Sequence, residues 1–301
     1  MAEDSRREEL ECIYLFSKLK EKTKEWPVAY ETSLEACGFG QGIYLAMMRI
    51  LYIRHLVSIE GGTYVQSPQQ EEVMKKKLDH LEDLDHYQAF YDKAMDKEYF
   101  FFKALSPLEE EIYAQYNFDQ TRDLGRDLAQ YVEFDGKKVL EIGGNSGGLA
   151  TGIKDYFSCD YTVLDLETPC RLGQAFNEVH DLNLNFIPGD MFKMDLDETY
   201  DRFVLVNILH DYDDSACLEV LRACRASGRS GHDWVIIEDL LHEPYGPEAV
   251  VMHGLRLAVE CPGGRQRLLD DFIDMFAQVG GTLKEARQLN AIHTLLHFTS
   301  K

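Results

Sequence analysis

A glycine-rich segment at residues 139–150 constrains the fold of this chain most strongly; it reads Val-Leu-Glu-Ile-Gly-Gly-Asn-Ser-Gly-Gly-Leu-Ala. The apolar residues before the glycines predict a short β-strand, and the glycines predict a tight turn into a helix. Glycine suits such a turn because its backbone reaches positive φ angles and lets a ligand lie against bare peptide. The unpaired N–H groups at the start of the helix would face that ligand. The segment therefore predicts a nucleotide-binding αβ unit, with an ordinary glycine turn as the alternative.

Two common phosphate-binding patterns do not fit this segment. The dinucleotide pattern G-x-G-x-x-G requires glycine where Asn145 stands, and the P-loop requires a lysine that does not follow the glycines. Instead an acid, Glu141, lies two residues before Gly143. A carboxylate there would repel a pyrophosphate and attract a cation such as a sulfonium or ammonium group. The pattern E-x-G-G-x-x-G-G, which includes Gly144 and Gly147, resembles the first motif of S-adenosylmethionine-dependent methyltransferases.

The composition indicates a globular protein of the reducing cytoplasm. Acids outnumber bases by 53 to 31 among the 301 residues, and the resulting net charge of −22 disfavours nucleic-acid binding. Apolar runs are too short to span a membrane, and the first residues lack a signal-peptide core. The seven cysteines are odd in number and form no C-x-x-C pair, which argues against a disulfide framework or a zinc site. We therefore expect no nucleic-acid partner, no membrane association and no metal.

Residues 1–105 predict a mainly helical domain. Apolar stripes and caps predict helices over residues 1–26, 33–38 and 44–57, followed by two short strands around Gly61-Gly62. Helix, helix and hairpin together form the outline of a winged helix. Since the longer helix carries few basic side chains, a packing or dimerisation module is favoured over a DNA-binding one.

Residues 106–301 alternate between strand and helix, which is typical of a parallel α/β sheet. Apolar segments predict strands over residues 139–142, 161–164, 184–187, 203–206 and 234–237, and an antiparallel hairpin over 282–299. The expected fold is therefore a mostly parallel, Rossmann-like sheet closed by an antiparallel hairpin, with a second, helical domain before it.

Polar residues stand where these strands end. Asp165 ends the second strand about 20 residues beyond the first glycine, where such folds place a carboxylate for ribose hydroxyls. Asp190 follows the third strand and could accept a hydrogen bond from an adenine amino group, with Met191 or Phe192 against the ring. His210 follows the fourth strand, at the sheet edge where ligands of parallel sheets bind.

Taken together, the segments resemble the small-molecule O-methyltransferases of plant phenolic and bacterial natural-product pathways. The matching segments follow the family's order and are spread over nearly the whole range 135–280; they are residues 139–149, 163–166, 189–192, 206–214, 217–225, 235–238 and 262–267. The winged-helix-like segment is similar to the family's N-terminal dimerisation domain.

The resemblance implies a homodimer that methylates a small-molecule acceptor and releases S-adenosylhomocysteine. It implies that S-adenosylmethionine is bound by the glycine turn and the residues around it, namely Glu141, Gly143, Gly144, Gly147, Asp165, Asp190, Met191 and Asn207. It implies that His210 is the general base, that Glu238 orients the imidazole, and that Asp211 contacts the substrate. Aromatic and polar residues upstream are candidates for the acceptor pocket, together with one later methionine: Tyr113, Tyr116, Asn117 and Met252.

One departure from the family concerns a second carboxylate near the histidine. Plant members place it shortly after the last motif, whereas here Arg267 is followed by two leucines, and acids come only at Asp270 and Asp271. Relatives on this scaffold also perform decarboxylation, hydroxylation or pericyclic chemistry, so the fold does not fix the reaction. The same scaffold is compatible with methyl transfer to nitrogen or carbon, and with a ligand-sensing regulator built on the winged helix.

Overall fold

A computed structural model describes residues 2–300, apart from residues 24–37, 39, 62, 181, 195, 243–244 and 262. The chain divides into two compact units, one of residues 1–103 and 241–266 and the other of residues 104–240 and 267–301. The first unit therefore contains a segment, 241–266, that the sequence prediction placed in the second domain. Within the described residues, no helix is both long enough and apolar enough to cross a membrane.

The first unit is mainly helical. Its elements in chain order are α1 (Ala2–Thr23), α2 (Gln41–Ile53), the hairpin strands β1 (Ser58–Glu60) and β2 (Thr63–Val65), α3 (Pro68–Leu78) and α4 (Leu84–Met95). A short helix, α5 (Phe101–Ala104), lies where the units divide. The predicted helix at 44–57 is therefore shifted toward the N-terminus, since His55 adopts a positive φ of 56° that a helix does not continue through. The predicted helix at 33–38 falls mostly outside the described residues.

The second unit alternates helices and strands. They are α6 (Pro107–Leu128), β3 (Lys138–Ile142), α7 (Gly148–Lys154), β4 (Asp160–Asp165), α8 (Glu167–His180), β5 (Asn185–Pro188), β6 (Tyr200–Val206), α9 (Asp214–Ala226), β7 (Gly228–Asp239), α11 (Leu269–Gln278), β8 (Gly281–Gln288) and β9 (His293–Ser300). A further helix, α10 (Glu248–Glu260), belongs to the first unit. All the strands predicted between residues 139 and 299 are therefore confirmed, with shifted ends.

The sheet of the second unit has seven strands in the order β5-β4-β3-β6-β7-β9-β8. Strands β3 to β7 pair in parallel, whereas β9 is antiparallel to both β7 and β8. The chain order reverses between β3 and β6, and ligands of such sheets bind at the carboxyl ends of the strands beside that point. The Rossmann-like prediction with a closing antiparallel hairpin is confirmed.

Each face of this sheet carries an apolar core. Successive residues of a strand point to opposite faces, so Leu140 belongs to one buried cluster and Val139 to the other. The first cluster includes the stacked rings of Phe276 and Phe298, whose centroids lie 3.9 Å apart. A fixed core on both faces holds the strand ends, and the polar residues there, in position.

Helix α6 lies unusually close to α7 because glycines replace side chains between them. A Cβ atom on Gly125 would lie 2.3 Å from the Leu149 carbonyl oxygen, and one on Gly152 would lie 2.1 Å from the Arg122 carbonyl oxygen. Backbone atoms cannot yield to such overlaps. The glycines therefore fix α6 against the helix that starts at the glycine turn.

Candidate active site

The predicted glycine turn connects β3 to α7. Gly143 has a φ of +69° and donates its N–H to the Leu164 carbonyl oxygen at 2.8 Å. A Cβ atom at Gly143 would lie 2.2 Å from Cδ1 of Ile208, and Gly147, with a φ of +84°, is the N-cap residue of α7. The turn thus needs glycine for its conformation and for its packing. It forms bare backbone at the carboxyl end of β3, as a bound nucleoside requires.

Glu141 lies buried directly beneath this turn. Only 2% of its surface is exposed, and a Cβ atom on Gly144 would lie 2.6 Å from its carboxyl carbon. Burial raises the pKa of Glu141 to about 8; the Tyr161 hydroxyl opposes the increase and the nearby Asp165 adds to it. Its Oε2 atom has no hydrogen-bond partner among the described residues. Such an oxygen is suited to a cationic group bound above the turn.

Asp165 ties the tip of β4 to the glycine turn. Its two carboxylate oxygens accept the backbone N–H groups of Leu166 at 2.6 Å and of Asn145 at 2.7 Å. Burial raises the pKa of Asp165, and these two hydrogen bonds oppose the increase. Each carboxylate oxygen can accept a second hydrogen bond, which leaves capacity for ligand hydroxyls.

Asp190 caps a short 3₁₀ helix after β5. Its Oδ1 accepts the N–H of Phe192 at 3.0 Å, and its Oδ2 pairs with Lys193 at 3.0 Å. The side chains of Met191 and Phe192 are half-buried and pack against the core cluster of the sheet. The ring edge of Phe192 also meets Tyr212, with centroids 5.1 Å apart.

Asn207 directly follows β6 and adopts a left-handed conformation, with a φ of 53°. Its side-chain Nδ2 lies 3.1 Å from Nε2 of His293, and its backbone N–H reaches the Ile237 carbonyl oxygen at 2.9 Å. Its Oδ1 atom is buried without a hydrogen-bond partner in the described part of the chain. An orphaned buried acceptor at the carboxyl end of a central strand can take a donor from a ligand.

His210 lies in a 3₁₀ turn, Leu209–Asp211, that follows β6. Its Nδ1 atom is 2.7 Å from Oδ1 of Asp239 and 3.1 Å from Oε2 of Glu238, while Nε2 is 3.6 Å from Oδ1 of Asp211. Burial would lower the pKa of His210, but the charges of Glu238, Asp239 and Asp211 outweigh it and raise the pKa well above its ordinary value. The ring is therefore held from its Nδ1 side and biased toward the imidazolium form.

Glu238 holds both the histidine and the turn that carries it. Its Oε1 atom accepts the N–H of Leu209 at 2.8 Å, while Oε2 faces the imidazole. One ring nitrogen of His210 and one carboxylate oxygen each of Glu238 and Asp239 lie within 4.8 Å of one another. The hydrogen bond between His210 and Asp239 and the ion pair between His210 and Glu238 account for this spacing. The predicted grouping of His210, Glu238 and Asp211 is thus brought together.

Sequence reasoning missed Asp239, which makes the shortest contact to the imidazole. Asp239 follows Glu238 directly at the end of β7, so its place at a strand end could have marked it as a site residue. Neighbouring residues of a strand normally point to opposite faces, however, and the pattern therefore does not predict that both reach one imidazole. The acid at Asp271 instead accepts the N–H of Leu268 at the start of α11, at 2.9 Å. The second carboxylate beside the histidine is therefore Asp239.

The candidate acceptor residues fall in both units. Tyr113, Tyr116 and Asn117 lie on α6 of the second unit, where Tyr116 is 64% exposed. The carbonyl oxygen of Ala114, next to Tyr113, accepts the hydroxyl of Ser146 in the glycine turn at 3.1 Å. Met252 is buried on α10 of the first unit.

A family described as O-methyltransferase domain matches residues 75–281. The 3-O-methylredipecamine 2-O-methyltransferase of Carapichea ipecacuanha is 38% identical over 115 residues, which cover 37% of this chain and 30% of that protein. The 3-amino-4-hydroxybenzoate 4-O-methyltransferase of Streptomyces cremeus is 30% identical over 116 residues, covering 38% of this chain and 30% of that protein. The matches thus span less than half of these relatives' own length.

Solved structures show the same fold across the whole chain. An O-methyltransferase family 2 protein from Planctomyces limnophilus, in complex with apigenin, has a TM-score of 0.78 at 13% identity and covers 99% of this chain and 93% of that one. Human N-acetylserotonin methyltransferase, in complex with S-adenosylmethionine, has a TM-score of 0.63 at 16% identity and covers 99% and 95%. At these identities the likeness shows the fold.

The cofactor of this family is S-adenosylmethionine. The residues present fit it, because the turn at Gly143 admits no side chain, and Oε2 of Glu141 and Oδ1 of Asn207 are buried without hydrogen-bond partners among the described residues. The family match extends over well more than half of the sequence. This chain therefore belongs to the O-methyltransferase family.

Proposed function

We propose that this chain transfers a methyl group from S-adenosylmethionine to a hydroxyl oxygen of a small, aromatic or natural-product-like acceptor, with His210 as general base. The observation that carries the proposal is the contact of 2.7 Å between Asp239 and Nδ1 of His210, at the carboxyl edge of the sheet. A proton held on Nδ1 makes Nε2 the nitrogen that accepts a second one. The names of the relatives, which describe methyl transfer to oxygen, support the reaction class.

Residues around the glycine turn are proposed to bind the cofactor. When bound, S-adenosylmethionine supplies a methyl group on a sulfonium sulfur that is a good leaving group. The backbone of Gly143, Gly144 and Gly147 lets the nucleoside approach closely, while the carboxylate of Glu141 attracts the cationic part. The remaining contacts are assigned to residues at the strand ends: Asp165 for the ribose, Asp190 and Met191 for the adenine, and Asn207 through its buried amide oxygen.

The protein's share of the chemistry is proton transfer and alignment. The acceptor's hydroxyl proton would pass to Nε2 of His210 as the oxygen takes up the methyl group, which S-adenosylmethionine would supply with its sulfur as the leaving group. Glu238 and Asp239 stabilise the imidazolium that results. Asp211, whose Oδ1 lies 3.6 Å from Nε2, is assigned the orientation of the acceptor hydroxyl, and that distance supports the assignment.

Tyr113, Tyr116 and Asn117 on α6 are proposed to contact the acceptor, and Met252 is kept as a separate candidate from the sequence. Tyrosine rings suit a flat acceptor, since they stack on aromatic faces and offer hydroxyl groups. Exchanging each of the four for alanine, then measuring the KM of a panel of phenols, tests this assignment. Exchange of a residue that contacts the acceptor should raise the KM for the acceptor and leave the Kd of the donor unchanged.

A homodimer assembled through the N-terminal helical domain, residues 1–105, is also proposed. Its support is the resemblance of that domain to the dimerisation domain of the family. Light scattering on the purified chain tests it, because a dimer has about twice the monomer mass of 34.6 kDa. The proposed place of action is the cytoplasm, supported by the cysteines of the described residues, which are buried free thiols.

His210→Gln tests the function directly. We expect kcat to fall by roughly 10²–10⁴-fold, the usual contribution of a general base. The Kd of S-adenosylmethionine, measured by calorimetry, should change little because the imidazole is assigned to the acceptor. His80→Gln, at an exposed position in the first unit, is the matched control and should retain full activity.

Three results would contradict the proposal. The first is unchanged methyl transfer by His210→Gln, and the second is a wild-type chain that does not bind the donor. The third is turnover of an acceptor without release of S-adenosylhomocysteine, which would favour a non-methylating reaction on the same scaffold.

A further inference from the structure

Arg267 is the most deeply buried basic side chain next to the proposed general base. It is 1% exposed, and the second unit resumes at this residue, directly after residues 241–266 of the first unit. A buried guanidinium group is costly unless acceptors surround it. The hydrogen-bond acceptors of Arg267 therefore indicate which part of the structure it stabilises.

Those acceptors are the backbone on both sides of His210. Nη1 of Arg267 donates to the carbonyl oxygen of Leu209 at 2.6 Å, and Nη2 donates to the carbonyl oxygen of Tyr212 at 2.8 Å. Nε and Nη2 also reach Oδ1 of Asp214, at 3.0 and 2.7 Å. One planar side chain thus spans the 3₁₀ turn and the first residue of α9.

The turn needs such support because its own hydrogen bonds are few. Residues 209–211 form a single 3₁₀ turn, in which hydrogen-bond geometry is poorer than in an α-helix. The thiol of Cys217 adds a weak bond to the Leu209 carbonyl oxygen at 3.2 Å, and Glu238 takes the N–H of the same residue. Arg267 supplies the charge-assisted bonds that close the turn at both ends.

We infer that Arg267 is a positioning residue, which clamps the turn so that the imidazole of His210 stays against Asp239 and Glu238. This inference rests on the proposed role of His210 as general base. Lysine cannot replace arginine in this task, because a single ammonium group lacks the planar fork that reaches two carbonyl oxygens and a carboxylate at once. The clamp acts through the backbone and touches neither donor nor acceptor.

Arg267→Lys is the test, with Arg229→Lys as the matched control. Nη1 of Arg229 contacts both carboxylate oxygens of Asp201, at 2.9 and 3.0 Å. Arg229 is half-exposed, however, and this contact lies where β6 and β7 begin, at the end of the sheet opposite His210. For Arg267→Lys we expect kcat to fall by roughly 10²-fold, as misplacement of a catalytic group by about 1 Å does. The Kd of the donor and the KM of the acceptor should stay within about threefold of the wild-type values, because Arg267 contacts neither ligand in this proposal.

A second readout does not depend on turnover. A proton shared between Nδ1 of His210 and Asp239 gives a far-downfield proton NMR signal, which can be assigned by its loss in His210→Gln. In Arg267→Lys this signal should broaden or disappear, whereas Arg229→Lys should keep it. A variant that only loses global stability would show a lower Tm but an intact signal below that temperature.

The outcomes separate the inference from the proposed function. If Arg267→Lys keeps both kcat and the downfield signal, the clamp is overturned. If the wild-type chain methylates no acceptor, the proposed function fails, while the signal in Arg267→Lys still decides whether the clamp holds the imidazole.

Discussion

The Oδ1 atom of Asp239 lies 2.7 Å from Nδ1 of His210, and both residues are buried. A hydrogen bond between charged groups at this distance is short and strong. Together with Glu238 on the same nitrogen, it fixes the ring's orientation and stabilises its positive charge. The histidine is thus prepared to hold a proton more firmly than an ordinary imidazole does.

The first prediction concerns pH. Because the neighbouring carboxylates raise the pKa of His210, the protonated, inactive form should persist above the ordinary imidazole range. Activity of the wild type should therefore rise with pH and level off only above the raised pKa. In Asp239→Asn one of those charges is gone, so the rise in kcat/KM should move to lower pH, with a lower plateau from the poorer alignment.

A full pH profile of kcat/KM measures this shift. Asp270→Asn, at an exposed position on α11, should keep the wild-type profile. A rise that stays at the wild-type pH in Asp239→Asn would show that Asp239 does not control the proton on His210.

The second prediction links cofactor binding to a proton on Glu141. Burial raises the pKa of this carboxyl to about 8, so near pH 7 it is mostly protonated in the free chain. A sulfonium or ammonium group bound nearby favours the carboxylate and should release a proton. The affinity for S-adenosylmethionine should therefore increase with pH up to about 8 and then level off.

Calorimetry in buffers of different ionisation enthalpy counts the released protons. In Glu141→Gln the release and the pH dependence should vanish and the affinity should drop, whereas Glu219→Gln, on α9, should behave as wild type. Equal binding heats in all buffers for the wild type would rule out this coupling.

A third prediction concerns the ion pair between the partly buried Asp233 of β7 and the buried Arg202 of β6. Asp233 accepts Nη2 of Arg202 at 2.9 Å and lies 3.3 Å from Nε2 of His297. Burial alone would raise the pKa of Asp233, but these two partners outweigh it and lower the pKa below its usual range. A lowered folded pKa contributes stability above the unfolded value near 4, and that stability is lost as pH falls through the folded pKa.

Asp233→Asn should therefore lower the free energy of unfolding at pH 7 by about 3 kcal/mol, since it leaves the buried guanidinium of Arg202 without its charge partner. Urea unfolding between pH 3 and pH 7 measures the loss, which should shrink in acid. A constant difference across that range would show that ionisation of Asp233 contributes nothing.

The fourth prediction tests the close approach of α6 and α7. Alanine favours a helix over glycine by about 1 kcal/mol, so Gly152→Ala would stabilise an isolated helix. Here its Cβ atom would lie 2.1 Å from the Arg122 carbonyl oxygen, and overpacking costs about 1–3 kcal/mol. We expect the overlap to win and the Tm to fall.

Gly189→Ala is the control, because no atom lies within 4 Å of a Cβ built there. Thermal unfolding of both variants should show a loss for the first and little change for the second. An unchanged or higher Tm for Gly152→Ala would mean that the helices move apart at no cost.

The sequence predicts the presence of the strands and helices well because apolar runs, glycine turns and capping residues lie within the elements that they define. Strand β3 and the turn after it can be predicted from apolar residues followed by glycine, and Asp213 is one of two adjacent acids suited to the cap that it forms on α9. The ends are less predictable: β7 begins at Gly228, six residues before its predicted start, among polar residues that strand propensity does not favour.

The partners of His210 can be predicted only in part. Glu238 is marked by a family pattern, whereas Asp239 requires knowing that both residues at the end of β7 face the imidazole. Arg267 lies 58 residues from Leu209 in the chain, and no periodicity connects positions so far apart. Residues 262–267 match a family segment, but only the tertiary fold shows that Arg267 contacts the turn of His210.

The insertion of β9 beside β7 also determines what lies at the borders of the sheet. One edge strand is β5, which has four residues and ends in Pro188, and the other is β8, which carries Lys284, Glu285 and Arg287. Short strands, proline and charge all discourage pairing with a strand from another molecule. We therefore expect copies of this chain to resist pairing through the edges of this sheet.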